Sequence, residues 1–241
     1  MNSSLIRLND ISFTYPGGSR PVLDHLNLEI NAGDCIGMMA PNGSGKTTLV
    51  HTIMGLCRPQ AGQIEIFGKT MEEEGDFAPI RTQVGLLFQD SDDQLFCPSV
   101  LDDVAFGPLN QGLKPKEAKA KAEAVLERLE ITRLRDAITH RLSGGQKRMV
   151  ALAAVLALEP KVLLLDEPTA GLDQEVKDRL AQVLRGLETT YMVISHEFDF
   201  VEAVADRIFT MEKGRILTDD EIHLHRHEHF HRHGNHPHNH D

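Results

Sequence analysis

Tryptophan is missing from this sequence, and only two tyrosines occur in 241 residues. Apolar residues nevertheless make up 41%, which predicts a packed core in a chain long enough for one large α/β domain or a core with an inserted subdomain. No apolar run approaches the ~20 residues that span a bilayer. The N-terminus lacks the charged, apolar and small-residue pattern of a signal peptide. Cysteine is also scarce. Cys35, Cys57 and Cys97 are odd in number and widely spaced, which predicts reduced thiols and excludes a disulfide framework or a Cys-rich zinc site. Basic residues are outnumbered, and the formal net charge is −11. Only −1 of this lies in residues 221–241, from Glu221, Glu228 and Asp241 against Arg226 and Arg232. An acidic body excludes sequence-independent binding to nucleic acid or anionic lipid, which needs clustered Lys and Arg.

The first 70 residues alternate with period two over Leu5–Tyr15, Val22–Ile30 and Gln63–Phe67, as strands do. The runs Cys35–Met39, Val84–Phe88, Val162–Leu165 and Tyr191–Ile194 are continuously apolar, which suits parallel strands covered on both faces. Thr47–Leu56 reads as a helix. Pro115 opens another, with Ala118, Ala122, Val125, Leu126 and Leu129 on one face and Glu117 paired to Lys121. Ser143 precedes a third, whose face includes Met149, Leu152, Val155 and Leu156. Roughly residues 94–160 thus form a helical insertion in an α/β core.

Asn42-Gly43-Ser44-Gly45-Lys46-Thr47-Thr48 follows an apolar strand and opens a helix, the setting a P-loop requires. Glycines let the backbone approach a β-phosphate, Lys46 reaches the β/γ oxygens, and the Thr47 hydroxyl suits Mg²⁺. The pattern asks for glycine at position 40, where this chain has Ala40. The competing reading is a plain Gly/Ser-rich turn. Val162–Leu165 ends in Asp166 and Glu167: Asp166 suits Mg²⁺ through water, and Glu167 suits a general base on the attacking water. A solvated acidic turn is the alternative when that segment is taken alone. Between the two lies Leu142-Ser143-Gly144-Gly145-Gln146, whose backbone N–H groups and hydroxyl can wrap an anion at a helix start. A second phosphate cradle in one chain implies a nucleotide shared between two copies.

In this order and spacing the motifs resemble the ATP-binding cassette (ABC) transporter ATPases over about residues 4–216. The resemblance implies an α/β P-loop NTPase fold with a mostly parallel sheet, an N-terminal antiparallel β subdomain and an inserted helical signature subdomain. The expected division is 1–93 for the first part of the ATP-binding core, 94–160 for the signature subdomain, 161–220 for the second part and 221–241 for a His-rich tail. It further implies ATP and Mg²⁺ as cofactors. Tyr15 is matched to the residue that stacks on adenine, Gln89 to the Q-loop glutamine that helps ligate Mg²⁺, and His196 to the switch histidine at the γ-phosphate. Asp173 closes the D-loop Ala170-Gly171-Leu172-Asp173. Two cassettes, identical or paralogous, would face each other head to tail. ATP would then lie between Lys46 of one and Ser143, Gly144, Gly145 and Gln146 of the other, with Asp173 at the same interface.

Asp92-Asp93-Gln94-Leu95-Phe96, with Asp102-Asp103-Val104-Ala105-Phe106-Gly107-Pro108 behind it, is similar to the ATPases of energy-coupling-factor (ECF) importers, the cobalt/nickel branch above all. That resemblance implies a transmembrane scaffold and substrate-binding membrane subunits as partners. It places the chain peripherally on the cytoplasmic face of the membrane. Asp92 and Asp93 offer an acidic face for an arginine of the scaffold. From His223 the composition changes: nine histidines fall in 18 positions, with His223, His225, His227, His229, His231 and His233 strictly alternating. Such a segment cannot build a core and reads as a disordered ligand set for Ni²⁺, Co²⁺ or Zn²⁺. An inert solubilising tail and an interrupted purification tag are the alternatives. Three other classes stand against the metal importer: a soluble ABC ATPase of DNA repair or translation, a metal buffer with a degenerate cassette, and an importer of another solute. Lys46 and Ser143 lie only 97 positions apart, too close for the long coiled coil of the repair proteins.

Overall fold

The computed structural model describes residues 3–217, apart from the Asp92 side chain. The histidines from His223 onward lie outside the described residues. The chain runs β1 (Ser4–Phe13), β2 (Leu23–Asn31), β3 (Cys35–Met39), α1 (Lys46–Ile53), β4 (Ala61–Ile66), β5 (Lys69–Thr70), α2 (Glu74–Phe77) and β6 (Val84–Leu87). Three helices follow: α3 (Val100–Asn110), α4 (Pro115–Arg128) and α5 (Gly144–Leu156). The chain then returns through β7 (Val162–Asp166), α6 (Gln174–Arg185), β8 (Thr190–Ser195), α7 (Phe198–Val204), β9 (Arg207–Glu212) and β10 (Arg215–Leu217).

The strands form two sheets. One is antiparallel, in the order β2-β1-β4-β5; the other runs β10-β9-β3-β8-β7-β6 and is parallel except at the β9–β10 edge. This is an α/β arrangement with a mostly parallel sheet beside an antiparallel β subdomain, in keeping with what the resemblance implies. The continuous apolar runs have a physical reason. In β7, Val162 and Leu164 enter the core between the sheets, while Leu163 and Leu165 enter the core under the helices. β8 divides the same way, with Met192 and Ile194 on one side and Tyr191 and Val193 on the other. A strand buried on both faces cannot alternate apolar with polar.

Several elements differ from their sequence reading. α1 is shorter than Thr47–Leu56, because the chain turns at Met54 and Gly55 adopts φ 70°. Lys121 pairs across to Glu159 at 3.0 Å rather than to Glu117. Glu117 instead accepts from the Lys114 amide at 3.2 Å and closes a capping box at the start of α4. The helical layer also contains α3, capped by Ser99, whose hydroxyl accepts from the Asp102 amide at 3.3 Å.

Three adjacent strands, β3, β8 and β7, end at the same edge, where Met39 is level with Ser195 and Asp166 with Ile194. Their ends carry the P-loop, His196 and the two carboxylates, as expected for ligand sites outside the carboxyl ends of a parallel sheet. β3 keeps its place through Gly37, where a Cβ would come within 2.2 Å of Val201 Cγ1 and 3.0 Å of Ala205 Cβ. We predict that Gly37→Ala destabilises the chain by about 1–3 kcal/mol, lowering the melting temperature by about 2–4 °C per kcal/mol. An unchanged melt followed by circular dichroism would show that α7 is not packed this closely on β3.

Candidate active site

The loop after β3 turns left-handed at Gly43 (φ 79°) and Gly45 (φ 106°). Gly45 is required twice over, since a Cβ there would also meet the Val22 carbonyl at 2.6 Å. Ala40 is buried, donates its amide to the Ser195 carbonyl at 3.2 Å, and has no left-handed backbone. The position that departs from the P-loop pattern therefore needs no glycine. α1 starts at Lys46 with no side-chain cap, so its first-turn amides remain available to an anion. The Ser44 hydroxyl is buried at the same place with no partner among the described residues.

The side chains then converge. Lys46 Nζ donates to Asn42 Oδ1 at 2.9 Å and pairs with Glu167 Oε1 at 2.8 Å, the two side chains being 7% and 2% exposed. His196 Nδ1 lies 2.9 and 3.0 Å from the two Glu167 oxygens. Ser195 Oγ donates to Glu167 Oε2 at 3.4 Å. On an extended strand, consecutive side chains point to opposite faces. The chain breaks that rule by placing Glu167 in the left-handed region at φ 49°, at a cost of about 1–2 kcal/mol. Beside it, Thr47 Oγ1 donates to Asp166 Oδ2 at 3.0 Å, while Asp166 Oδ1 is buried without a partner among the described residues. Burial pushes the Asp166 carboxyl above its ordinary value, against the pull of Thr47 and Lys46.

The remaining candidates occupy the surroundings. Tyr15 is half exposed; its hydroxyl lies 3.0 Å from Thr48 Oγ1 and its ring stands edge-on to Phe13. Thr48 is buried and turned toward that tyrosine rather than toward Lys46. Gln89 is exposed on the loop after β6. Ser143 and Gly144 are also exposed. Ser143 and Gln146 form a reciprocal capping box at the start of α5, with bonds of 3.0 and 3.3 Å. Gly144 and Gly145 are helical, so their value lies in small size rather than in unusual dihedrals. Asp173 caps α6 by accepting from the Val176 amide at 3.0 Å. The structure brings Asn42, Lys46, Thr47, Asp166, Glu167, Ser195 and His196 together. Gly144 opens instead onto a cleft shared with Gln89, Ala170 and Gly171.

Three further residues have roles that the sequence analysis did not assign. Arg148 is 5% exposed and donates to the Phe88 carbonyl at 2.5 Å and to the Gln89 carbonyl. Its guanidinium is lowered by burial, opposed by Asp90, Asp166 and Glu167. Gln94 accepts from the Phe88 amide at 3.0 Å and donates to the Leu86 carbonyl at 2.8 Å. Asp103, also buried, accepts from the amides of Phe96 and Cys97 at 3.0 and 2.9 Å and from the Thr139 hydroxyl at 2.8 Å. For Arg148 the available sequence signal was a charge at helical spacing from Leu152 and Val155 on an apolar face.

A family model for the ABC transporter matches residues 23–170. The chain belongs to the ABC transporter ATPases. It is 47% identical over 214 residues to a putative ABC transporter ATP-binding protein of Nitratidesulfovibrio vulgaris, covering 89% of this chain and 78% of that one. It is 44% identical over 213 residues to the cobalt import ATP-binding protein CbiO of Rhodobacter capsulatus, covering 87% and 76%. Among solved structures, cbiO1 of Clostridium perfringens, part of the ABC transporter complex cbiONQ, superposes with a TM-score of 0.81 at 34% identity over 90% of this chain and 88% of that one. A dimeric ATP-binding cassette in a post-hydrolysis state, bound to ADP and Pi, gives 0.82 at 26% identity over 89% and 97%.

As an ABC ATPase the chain hydrolyses ATP with Mg²⁺. The residues fit the ion. A hydroxyl and a carboxylate, with one buried carboxylate oxygen left unpartnered among the described residues, form a hard oxygen donor set. Thr47 and Asp166 would hold it, and it would neutralise charge on the phosphate oxygens. Because the Asp166 pKa is raised on folding, the folded chain binds this proton more tightly than the unfolded one. Its ionisation therefore weakens the fold as pH climbs from the ordinary value, 3.8, through the folded one. We predict that Asp166→Asn removes this penalty and raises the melting temperature in Mg²⁺-free buffer near neutral pH, while ATP hydrolysis is lost. A lower melting temperature for the variant would show that the carboxylate is stabilised, not strained, by its burial.

Proposed function

We propose that this chain is the ATP-hydrolysing subunit of an ECF-type importer of a transition-metal ion, cobalt or nickel, at the cytoplasmic face of the membrane. The observation that carries the catalytic part is Glu167, buried and gripped by Lys46 and His196 at the end of β7. In this reading Glu167 is the general base toward the attacking water. His196 contacts the γ-phosphate, Lys46 and the α1 amides hold the phosphates, and Tyr15 stacks on adenine. Asn42 and Lys46 bound the phosphate loop from either side. Ser143, Gly144, Gly145 and Gln146 at the start of α5, exposed at Ser143 and Gly144, and Asp173 complete the ATP site of a facing cassette. ATP contacts both surfaces, so losing its γ-phosphate removes the differential contacts that favour the closed pair.

The transport part rests on a groove beside β6. Leu56, Phe96 and Phe106 are exposed around it, and the rings of Phe96 and Phe106 meet edge-on with centroids 4.7 Å apart. Such an apolar rim, with exposed Asp93 one position before Gln94 of its lining, suits a scaffold helix tipped by an arginine. No described helix is long and apolar enough to cross a membrane, so translocation falls to partner subunits. The metal reading draws on the CbiO relatives and on the alternating histidines. Among the described residues there is no group of three His, Cys, Asp or Glu side chains fit to hold a metal.

Two outcomes test this. Glu167→Gln should lower turnover by about 10²–10⁴-fold, the usual share of a general base, while keeping ATP bound and trapping a dimer in gel filtration; wild-type turnover would remove Glu167 from the chemistry. Phe96→Asp should abolish co-purification with the membrane subunits and leave ATP binding intact. Undiminished co-purification would move the docking surface elsewhere.

A further inference from the structure

Tyr15 stands at the surface, yet its main chain, its ring and its hydroxyl are each held. Just before it, the Thr14 amide donates to Gln60 Oε1 at 2.8 Å, and the Thr14 carbonyl accepts from Gln60 Nε2 at 2.7 Å. Just after it, the Gly18 amide closes a turn onto the Tyr15 carbonyl at 2.9 Å. Phe13 sets the ring edge-on, with centroids 4.9 Å apart. The hydroxyl lies 3.0 Å from Thr48 Oγ1. The Cys57 thiol adjoins the same hydroxyl, which offsets part of the rise that burial gives the thiol. Thr48 itself is 4% exposed, in the first turn of α1. Its carbonyl accepts from the Thr52 hydroxyl at 2.8 Å. Its amide belongs to the open start of the helix, the end that favours phosphate. Two adjacent threonines thus have separate tasks: Thr47 Oγ1 donates to Asp166, while Thr48 Oγ1 meets Tyr15.

We infer that Thr48 is a positioning residue for the nucleotide base: its buried hydroxyl sets the exposed Tyr15 ring at a fixed distance from the phosphate loop. The helix that offers amides to phosphate then also places the surface on which the base lies. A ring already ordered loses less freedom when a ligand binds, and the saving appears as affinity. The effect requires a base on the ligand, which separates it from any contact Thr48 makes to phosphate. This inference deepens, and rests on, the reading of Tyr15 as the adenine platform proposed above.

Titration calorimetry on the full chain in Mg²⁺ compares ADP with pyrophosphate, which carries the phosphates without a base. Thr48→Val and Tyr15→Phe each remove one side of the hydroxyl contact. Each should weaken ADP about fivefold, the usual worth of one hydrogen bond, and leave pyrophosphate unchanged. The double variant should lose no more than either single one, because both remove the same contact. Thr48→Ser, which keeps the hydroxyl, should recover most of the loss. A general loosening of α1 would instead weaken both ligands. Unchanged ADP binding in the single variants, additive losses, or pyrophosphate weakened in step by Thr48→Val would each overturn the inference. Tyr15→Phe, a change at the surface, carries the test alone if the Val variant does not fold. Tyr15→Ala examines the underlying reading. It should weaken ADP about tenfold or more, as loss of base stacking does, and ADP binding equal to the parent's would refute the adenine platform itself.

Discussion

Two adjacent carboxylates sit almost fully buried at the end of β7, and the surrounding structure is arranged to tolerate them. Asp166 and Glu167 are each 2% exposed. Isolated in the interior, such charges would cost several kcal/mol apiece. Lys46 and His196 flank Glu167, the Thr47 hydroxyl serves Asp166, and the left-handed turn at Glu167 lets neighbouring side chains share one corner. These groups come from the ends of three adjacent parallel strands. The sheet order β3-β8-β7 is therefore what assembles the site, and Gly37 under α7 is part of keeping that order tight.

The network extends one step further. Glu197, next to His196, accepts from Thr169 Oγ1 at 2.8 Å and pairs with Lys177 of α6. The turn after the carboxylates, the loop after β8 and the start of α6 are thereby joined. Asp173, which caps α6, thus has a fixed position relative to His196 even though the two do not share the buried corner. The fold divides its polar machinery in two: a tightly paired interior around Glu167, and an exposed rim at Ser143, Gly144 and Asp173, where Ser143 and Asp173 cap their own helices.

Much of the site was legible because its chemistry is local. Lys46, Thr47, Asp166, Glu167 and His196 each follow an apolar strand, and strand ends in a parallel sheet gather at one edge. The convergence could be anticipated without knowing the strand order. The P-loop glycines were legible for the same reason, and Ala40 proved harmless because only Gly43 and Gly45 turn left-handed. What escaped was fixed by distant partners. Arg148 reaches carbonyls about 60 positions earlier, and Asp103 reaches a hydroxyl 36 positions later. Neither leaves a mark in spacing or periodicity beyond a charge in an apolar setting. The pair drawn from helical spacing, Glu117 with Lys121, failed because a nearer use existed for each: a cap for one and Glu159 for the other. Gln94 and Phe96 were visible as part of a family-like pentapeptide, but their roles, as loop staple and groove rim, needed the fold.

The central claim is that each chain holds one complete phosphate loop and one cradle for somebody else's nucleotide. The most direct measurement is ATP turnover per chain as a function of chain concentration, with association followed in parallel by sedimentation. The account predicts that turnover per chain rises with concentration and levels off as the dimer saturates. Turnover per chain that stays constant down into the range where the chain is monomeric would contradict it.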